Sequence, residues 1–335
     1  MTISVCMIVR DEEAILERAL DSLTCIADEI IIVDTGSVDR TKYIAAKYTD
    51  KIYDFAWKDD FAAARNFAFS FATMDYIYSA DADEVIDEEN QKAFKILKEA
   101  LMPEIEIVQM LYTNQLQFNT TYNFDEELRP KLFKRVRSFT WVDPLHETVR
   151  TLPVVFDSDV KIKHMPTAPH DQRDFSMYQR ILAREGSLSP KLQSMYAREL
   201  FITGGDEDFL AAADFFISKM YSDEDIELTA LNSCVVAKCA RLKDDAPLML
   251  KAQARALSLN ETPSEAVFEL GEYYREKRDY KESVKWYYKA AFETESCLNH
   301  KYHDEYPLLG LHICYVIMGD RENAAKYADC QRSRS

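Results

Sequence analysis

The spacing of apolar residues changes once along this chain, and that change limits the folds open to it. In the first third, short apolar runs alternate with segments of helical periodicity. The runs predicted as strands are Ile3–Val9, Glu29–Asp34, Lys51–Phe55, Tyr76–Ser79 and Ile105–Leu111. The segments predicted as helices are Asp11–Leu23, Asp39–Tyr48, Phe61–Phe71 and Asp87–Leu101. This β-α-β-α order predicts a Rossmann-like α/β domain with a mostly parallel sheet and helices on both faces.

The rest of the chain follows other patterns. Residues 112–163 are rich in aromatic and β-branched side chains, which predicts shorter, partly antiparallel strands that complete the first domain. After about residue 185 the chain is helical, and one segment has residues at the offsets of a tetratricopeptide repeat: Gly271, Tyr274, Tyr280, Tyr287 and Ala290. An ordinary helical bundle is the alternative. We predict two domains, 1–185 and 186–335, the second an all-α domain of TPR-like helical repeats.

The net charge and the cysteines of the chain indicate which binding partners and which cellular compartment to expect. The 41 Lys and Arg against 58 Asp and Glu give a net charge of −17, and no basic run is present, so we expect no nucleic-acid partner. No apolar stretch approaches the roughly 20 residues of a membrane span, and no signal peptide is recognisable. The odd number of cysteines and the lack of a C-x-x-C spacing argue against a disulfide framework or a zinc site and favour the cytoplasm. They are Cys6, Cys25, Cys234, Cys239, Cys297, Cys314 and Cys330.

The sequence SADADE, Ser79–Glu84, directly follows a predicted strand. Parallel sheets bind ligands at the carboxyl ends of their strands, so Asp81 and Asp83 are expected to project into one pocket. Two carboxylates close together resist ionisation unless a cation compensates them. Mg²⁺ or Mn²⁺, which prefer carboxylate and phosphate oxygens, are the predicted ions. The alternative is a solvated acidic turn before a helix capped by Asp87.

Two other strand ends carry polar groups. After the first strand, main chain near Val9 and the side chains of Arg10 and Glu12 are candidates for contacting a nucleotide, although a capped helix explains the acidic residues equally well. After the second strand, Asp34 is placed to accept hydrogen bonds from uracil or ribose, and Gly36 suits a tight turn. Neither segment contains a GxGxxG or Walker pattern, so a nicotinamide site or a P-loop is not supported.

Further candidates lie in the segments FAWKDDFAAARNFAF and WVDPLHETVR. Arg65 can reach the Asp81/Asp83 pocket or a diphosphate, because its planar fork pairs bidentately with phosphate; a structural pair with Asp60 or Asp83 is the alternative. In the second segment, His146 is a candidate metal ligand and Glu147 a candidate general base. Arg129, a candidate phosphate ligand, and His164, a candidate pocket residue, complete the set.

Taken together, these motifs resemble the family 2 glycosyltransferases, inverting enzymes with a GT-A fold. The resemblance is strongest to a bacterial subgroup with C-terminal tetratricopeptide-like repeats, and it covers about residues 1–165. It rests on CMIVRDEE, DEIIIVDTGS, DRT, DFAAARNFA, DADE and HE, which occur in this order. In many family members an E-D pair supplies the base, whereas this chain has His146-Glu147 at the nearest position.

The resemblance implies a role for each matching residue. The metal ligands would be Asp83, Asp81 and His146, and the catalytic residues Glu147, Asp83 and Arg65. The residues around the nucleotide sugar would be Val9, Arg10, Glu12, Asp34, Ser37, Asp60, Arg65, Asp81, Ala82 and Arg129.

These roles describe a hexosyltransferase that moves a sugar with inversion from a nucleotide sugar, UDP being favoured, to an acceptor. The acceptor is expected to be a peptide or protein held near the repeat domain, or a glycan, and the repeats offer a route to homo-oligomers. Two other functions remain open. A sugar-phosphate nucleotidyltransferase would carry a glycine-rich loop where this chain has VRDEEA, and an adaptor with an inactive first domain would not need intact Asp81, Asp83 and Arg65.

Overall fold

The computed structural model describes residues 1–113, 126–137, 139–145, 148–149, 153–165, 171–222, 225–259 and 262–334. The chain forms two compact units, Met1–His170 and Asp171–Ser335. Residues 171–185, which the sequence assigned to the first domain, therefore belong to the second compact unit. Compactness is one criterion among several for a domain, so the predicted boundary at 185 stays a prediction.

The first unit is built on an eight-stranded sheet and a two-stranded one. The strands are β1 (Ile3–Val9), β2 (Glu29–Asp34), β3 (Ile52–Asp54), β4 (Tyr76–Ala80), β5 (Glu84–Val85), β6 (Ile107–Thr113), β7 (Glu127–Lys134), β8 (Trp141–Val142), β9 (Thr148–Val149) and β10 (Val155–His164). The large sheet has the order β3-β2-β1-β4-β7-β6-β10-β5. Strands β3, β2, β1 and β4 are parallel, and β7 runs antiparallel between β4 and β6. The predicted mostly parallel sheet with later antiparallel strands is confirmed.

Four helices connect these strands: α1 (Leu16–Leu23), α2 (Thr41–Ala45), α3 (Phe61–Phe69) and α4 (Glu88–Ala100). Helix α1 begins five residues later than predicted, because Asp11 adopts a left-handed φ of 54° that the start of a helix does not allow. Helices α3 and α4 begin where the side chains of Asp60 and Asp87 accept hydrogen bonds from the backbone amides of Ala63 and Asn90.

Both faces of the large sheet are covered. On β1, Val5 and Met7 belong to an apolar cluster that includes Leu16 and Leu20 of α1. Cys6, between them, points to the opposite face and packs in a cluster with Ala68 of α3. Successive side chains of a strand alternate between faces, so a continuously apolar strand such as β1 requires helices on both sides. Cys6 is a buried core residue, as predicted.

The regular elements that the structure describes in the second unit are all helices. Its helices are α5 (Asp171–Glu185), α6 (Pro190–Ile202), α7 (Asp206–Ser222), α8 (Ile226–Leu242), α9 (Ala246–Leu257), α10 (Ser264–Glu276), α11 (Tyr280–Phe292), α12 (Lys301–Asp304), α13 (Tyr306–Met318) and α14 (Arg321–Arg334). The prediction of an α/β domain followed by an all-α domain is confirmed. Among the described residues, no helix combines the length and the apolar character that crossing a membrane requires.

The predicted repeat at residues 266–296 forms the helix pair α10 and α11. Tyr287 of α11 is fully buried, and its ring lies against Gly271 of α10 and Gly310 of α13. A Cβ atom at Gly271 would lie 2.7 Å from this ring, and one at Gly310 would lie 2.6 Å from it. Tyr287 fills the groove between these helices, so both positions require a residue without a Cβ atom.

This contact predicts that Gly271→Ala destabilises the second unit. In an open helix the change would stabilise by about 0.5–1 kcal/mol, but overpacking a buried ring costs about 1–3 kcal/mol. Urea unfolding of the full chain measures the difference. Gly205→Ala is the control, because a Cβ there would lie 3.6 Å from its nearest neighbour. Equal effects of the two changes would show that the ring adapts without cost.

Candidate functional site

Three strand ends meet at one edge of the large sheet. Val9, the last residue of β1, lies in register with Asp34, the last residue of β2. Ala80, the last residue of β4, lies in register with Met7 of β1. Parallel strands end on the same side of a sheet, and ligands of open α/β sheets bind there. The segments that follow β1, β2 and β4 therefore form a shared rim.

Asp34 is buried and organises the turn after β2. Its Oδ1 accepts hydrogen bonds from the backbone amides of Gly36 and Ser37, both at 2.9 Å. Gly36 has a φ of 110°, which a residue with a side chain rarely adopts, so glycine is required there. Among the residues that the structure describes, none donates a hydrogen bond to the buried Oδ2 of Asp34. A buried acceptor in this state is available to a donor from a ligand.

The segment after β1 is tied to the segment after β2. The carbonyl of Val9 accepts hydrogen bonds from the amide and the hydroxyl of Thr35, at 2.9 and 3.1 Å. The hydroxyl of Ser37 accepts one from the amide of Asp11 at 2.9 Å. Arg10 extends into solvent, with 55% of its side chain exposed. Its contact with a nucleotide stays a prediction, and the Val9 carbonyl is already bonded within the protein.

Glu12 is half-buried, and its backbone amide donates to the hydroxyl of Thr41 at 2.7 Å. Its carbonyl accepts from the amides of Ile15 and Leu16 and starts the turn that leads into α1. The N-cap position of α1 is Ile15, which makes no side-chain capping hydrogen bond, so the helix capped by this acidic segment is not observed either. A nucleotide contact of the Glu12 side chain stays a prediction.

Arg65 of α3 reaches the residues at the end of β4. Its guanidinium donates to the hydroxyl of Ser79 at 2.8 Å and to Oδ1 of Asp81 at 2.9 Å, and it lies 5.3 Å from the ring centroid of Trp141. Only 12% of the Arg65 side chain is exposed. The predicted approach of Arg65 to the Asp81/Asp83 segment is therefore present. Asp60, the other partner considered for Arg65, caps α3 instead.

Lys131 of β7 is a site residue that the sequence analysis missed. Its Nζ lies 2.7 Å from Oε1 of Glu84 and 3.5 Å from Oδ2 of Asp81, and only 6% of its side chain is exposed. Glu84 is equally buried, and it also accepts a hydrogen bond from the backbone amide of Asp81 at 3.2 Å. The one available signal was a lysine at an inward-facing position of a strand, where a charged residue is rare unless paired.

The charges of Arg65 and Lys131 affect the protonation of the acidic residues Asp81 and Glu84. Burial opposes ionisation of Asp81, but the charges of Arg65 and Lys131 outweigh it and lower the pKa of Asp81 to about 2. Burial raises the pKa of Glu84 to about 8, against the attraction of Lys131 and with the repulsion of Asp81. Asp81 is therefore a carboxylate at neutral pH, and the strand-end loop combines fixed charges of both signs.

Asp83 faces a different partner from Asp81. Its Oδ2 lies 3.2 Å from Nε2 of His164, the last residue of β10, and its carbonyl accepts a hydrogen bond from the amide of Met165 at 2.7 Å. His164 is buried and packs against the ring of Tyr112 at 5.1 Å. His164 was expected only to line or cap the pocket. The structure gives it a direct contact with the loop Asp81–Asp83, called the D-x-D loop below.

The donor atoms of Asp83 and His164 fit a divalent cation. Adjacent ligands of an octahedral Mg²⁺ or Mn²⁺ ion lie about 3 Å apart, close to the observed 3.2 Å between oxygen and nitrogen. The two aspartates have different partners: Asp81 contacts Arg65 and Lys131, and Asp83 contacts His164.

The other predicted site residues occupy varied positions. Ala82, between the two aspartates, is buried in the core. Arg129 pairs with Glu127 and lies 4.0 Å from the ring centroid of Tyr112, beside His164. His146 and Glu147 lie outside the described residues, so their assignment as metal ligand and general base stays a prediction.

Comparison with known proteins identifies the family. The family model for glycosyl transferase family 2 matches residues 4–183, which is more than half of the chain. The chain therefore belongs to glycosyl transferase family 2. The match ends close to the domain boundary predicted at residue 185.

Among curated proteins, the chain is 43% identical over 109 residues to a TPR repeat-containing protein of Synechococcus elongatus, covering 29% of this chain and 27% of that protein. It is 27% identical over 220 residues to the SPbeta prophage-derived glycosyltransferase SunS of Bacillus subtilis, covering 62% of this chain and 51% of that protein. The chain thus spans about a quarter and about half of the lengths of these relatives.

Among solved structures, one similar chain is glucosyl-3-phosphoglycerate synthase from Mycobacterium tuberculosis in complex with Mn²⁺ and uridine-diphosphate-glucose. The TM-score is 0.41 with 17% sequence identity, and the match covers 56% of this chain and 80% of that one.

The buried cluster predicts that Lys131→Met destabilises the first unit by about 3 kcal/mol, because the carboxylate of Asp81 loses one of its two cations. The free energy of unfolding, measured with urea, tests this. Lys134→Met, on the same strand but with its Nζ at the surface, is the control. A loss no larger than that of the control would mean that the ion pair contributes nothing.

Proposed function

We propose that this chain transfers a sugar, with inversion, from a nucleotide sugar to an acceptor, using a divalent cation bound at the D-x-D loop. The observation that carries the proposal is the grouping of Asp81, Asp83, Arg65 and Lys131 at the sheet edge where β2 also ends with Asp34. A nucleotide-sugar donor requires carboxylates that hold a metal ion and positively charged side chains that stabilise its diphosphate.

Asp34 is the proposed base-recognition residue. Its Oδ1 is held by the turn, and its buried Oδ2 is an acceptor without a donor among the described residues. The N3–H group of uracil is a donor that matches this acceptor, whereas cytosine presents an acceptor at the same ring position. This difference favours UDP over CDP as the nucleotide.

Arg65 and Lys131 are the proposed stabilisers of the leaving diphosphate. Both are largely buried and fixed by contacts to Asp81, so their charges are in place before the reaction begins. Preorganised charge of this kind stabilises a transition state because it costs no rearrangement. A cation held by Asp83 and His164 would add Lewis-acid stabilisation of the same oxygens.

Glu147 remains the proposed general base that takes the acceptor proton, with His146 as a further metal contact; both lie outside the described residues. The proposed acceptor is a peptide or protein, with a glycan as the alternative, because helical repeats characteristically present extended binding surfaces. Association of the chain through its repeats stays a proposal as well.

Asp83→Ala should lower metal-dependent release of UDP from a UDP-sugar by about 100-fold or more, because several kcal/mol of charge stabilisation would be lost. The measurement is UDP formation by the full chain across a panel of UDP-sugars with Mn²⁺. Circular dichroism checks that the fold is retained.

The control for this change is Asp50→Ala, which removes an exposed carboxylate from the loop before β3. Activity that survives Asp83→Ala would rule out the metal assignment. Pyrophosphate formation from a nucleoside triphosphate and a sugar phosphate would instead indicate a nucleotidyltransferase.

Asp34→Asn should weaken UDP binding by about tenfold or more while affecting CDP less. The amide oxygen can still hold the turn at Gly36 and Ser37, but the free acceptor becomes an NH₂ donor, which matches cytosine and opposes uracil. Isothermal titration calorimetry with UDP and CDP measures the ratio. Asp50→Asn is the matched control, since Asp50 is an exposed carboxylate in the loop before β3. An unchanged UDP/CDP ratio would exclude Asp34 from base recognition.

A further inference from the structure

Two thiols and a carboxylate converge inside the helical unit, far along the chain from the D-x-D loop. Cys234 lies on α8, Glu265 lies on the first turn of α10, and Cys297 lies in the segment between α11 and α12. The donor atoms of all three lie within 4.8 Å of one another. The family assignment and the proposed glycosyl transfer make no use of this cluster.

Two of the three distances between donor atoms in the cluster match the coordination sphere of zinc. Two sulfur ligands at about 2.3 Å from a tetrahedral zinc ion lie about 3.8 Å apart, and the two sulfur atoms here are 3.9 Å apart. A sulfur and a carboxylate oxygen on the same ion lie about 3.6 Å apart. The Sγ of Cys297 and the Oε2 of Glu265 are 3.7 Å apart.

The backbone already orients the carboxylate. Oε1 of Glu265 accepts hydrogen bonds from the amides of Leu298 and Asn299, at 2.7 and 2.9 Å. Oε2 has only longer contacts, at 3.2 Å to the amide of Cys297 and at 3.7 Å to its sulfur. One oxygen is thus fixed by the protein and the other keeps a lone pair toward the thiols. Metal-binding carboxylates are commonly held by hydrogen bonds in this way.

Burial adds to the case for a cation. Cys234 and Glu265 are buried and Cys297 is half-buried, which leaves one side of the cluster reachable from solvent. Buried acidic groups in contact resist ionisation together, and a divalent cation removes that penalty.

We propose that Cys234, Cys297 and Glu265 bind a zinc ion, with water in the fourth position. Thiolates select soft or borderline cations such as zinc, whereas the D-x-D loop offers the oxygen-rich environment that Mg²⁺ and Mn²⁺ prefer. On binding, each thiol releases one proton to solvent and the two thiolates coordinate the ion. The ion joins α8, α10 and the segment after α11, so its role is to stabilise the helical unit.

The test titrates Zn²⁺ into the full chain, kept reduced and free of other metals, in competition with a chromophoric chelator. Wild-type protein should bind zinc in the presence of excess Mg²⁺ and show a higher melting temperature, by mass action. Co²⁺ in place of zinc should give thiolate-to-cobalt charge-transfer absorption. Cys297→Ser, at the half-buried position, and Cys234→Ser should each weaken zinc binding by more than about tenfold and remove that absorption.

Cys239→Ser is the matched control, because Cys239 is also buried on α8 but contacts the carbonyl of Phe209 and lies outside the cluster. Glu265→Gln should weaken binding while keeping an acceptor for the backbone amides. Asp83→Ala should leave the cobalt absorption unchanged, which separates this site from the proposed catalytic one. Absence of the thiolate absorption in wild type, or equal zinc affinity in wild type and both cysteine variants, would overturn the proposal.

Discussion

The ion pairs of Arg65 and Lys131 with Asp81 are the interactions on which the first unit depends. A loop that places two aspartates and a glutamate within four residues at a buried strand end would be costly without compensating charge. Arg65 comes from α3 and Lys131 from β7, so the helix and the antiparallel strand are both tied to this loop. The same contacts that stabilise the fold fix positive charge where a diphosphate is proposed to bind.

The antiparallel strand β7 gives this sheet its particular chemistry. A wholly parallel sheet would bring only strand ends and helix starts to the binding edge. Because β7 is inserted between β4 and β6, the side chain of Lys131 enters the cluster from within the sheet. His164 reaches Asp83 from the end of β10, beside the short strand β5. The D-x-D loop is therefore contacted by side chains from two strands that follow it in the chain, β7 and β10.

The local pattern of apolar and polar residues was sufficient to predict most strands and helices of the first unit and the position of the candidate site. Strands β1 and β2 have the bounds predicted for them, since their apolar runs are continuous and flanked by polar residues. The start of α3 at Phe61 was also as predicted, but that of α1 was not. Asp11, expected inside α1, has a left-handed backbone that depends on hydrogen bonds to the segment after β2. Arg65 was predicted because helical spacing and strand ends are short-range features, and Lys131 was missed because its pairing with Glu84 spans 47 residues.

The sequence by itself determined that an α/β unit is followed by a helical one, which family the chain belongs to, and that an acidic loop follows β4. Each of these depends on residues that are close together in the sequence. Only the tertiary structure decided which cation neutralises which carboxylate, and that His164 contacts Asp83. It also brought Cys234 within 3.9 Å of Cys297, a partner 63 residues away, although cysteine spacing had argued against a metal site in this chain. Contacts of this kind arise when distant segments pack, and sequence spacing carries no information about which distant side chains share a cavity.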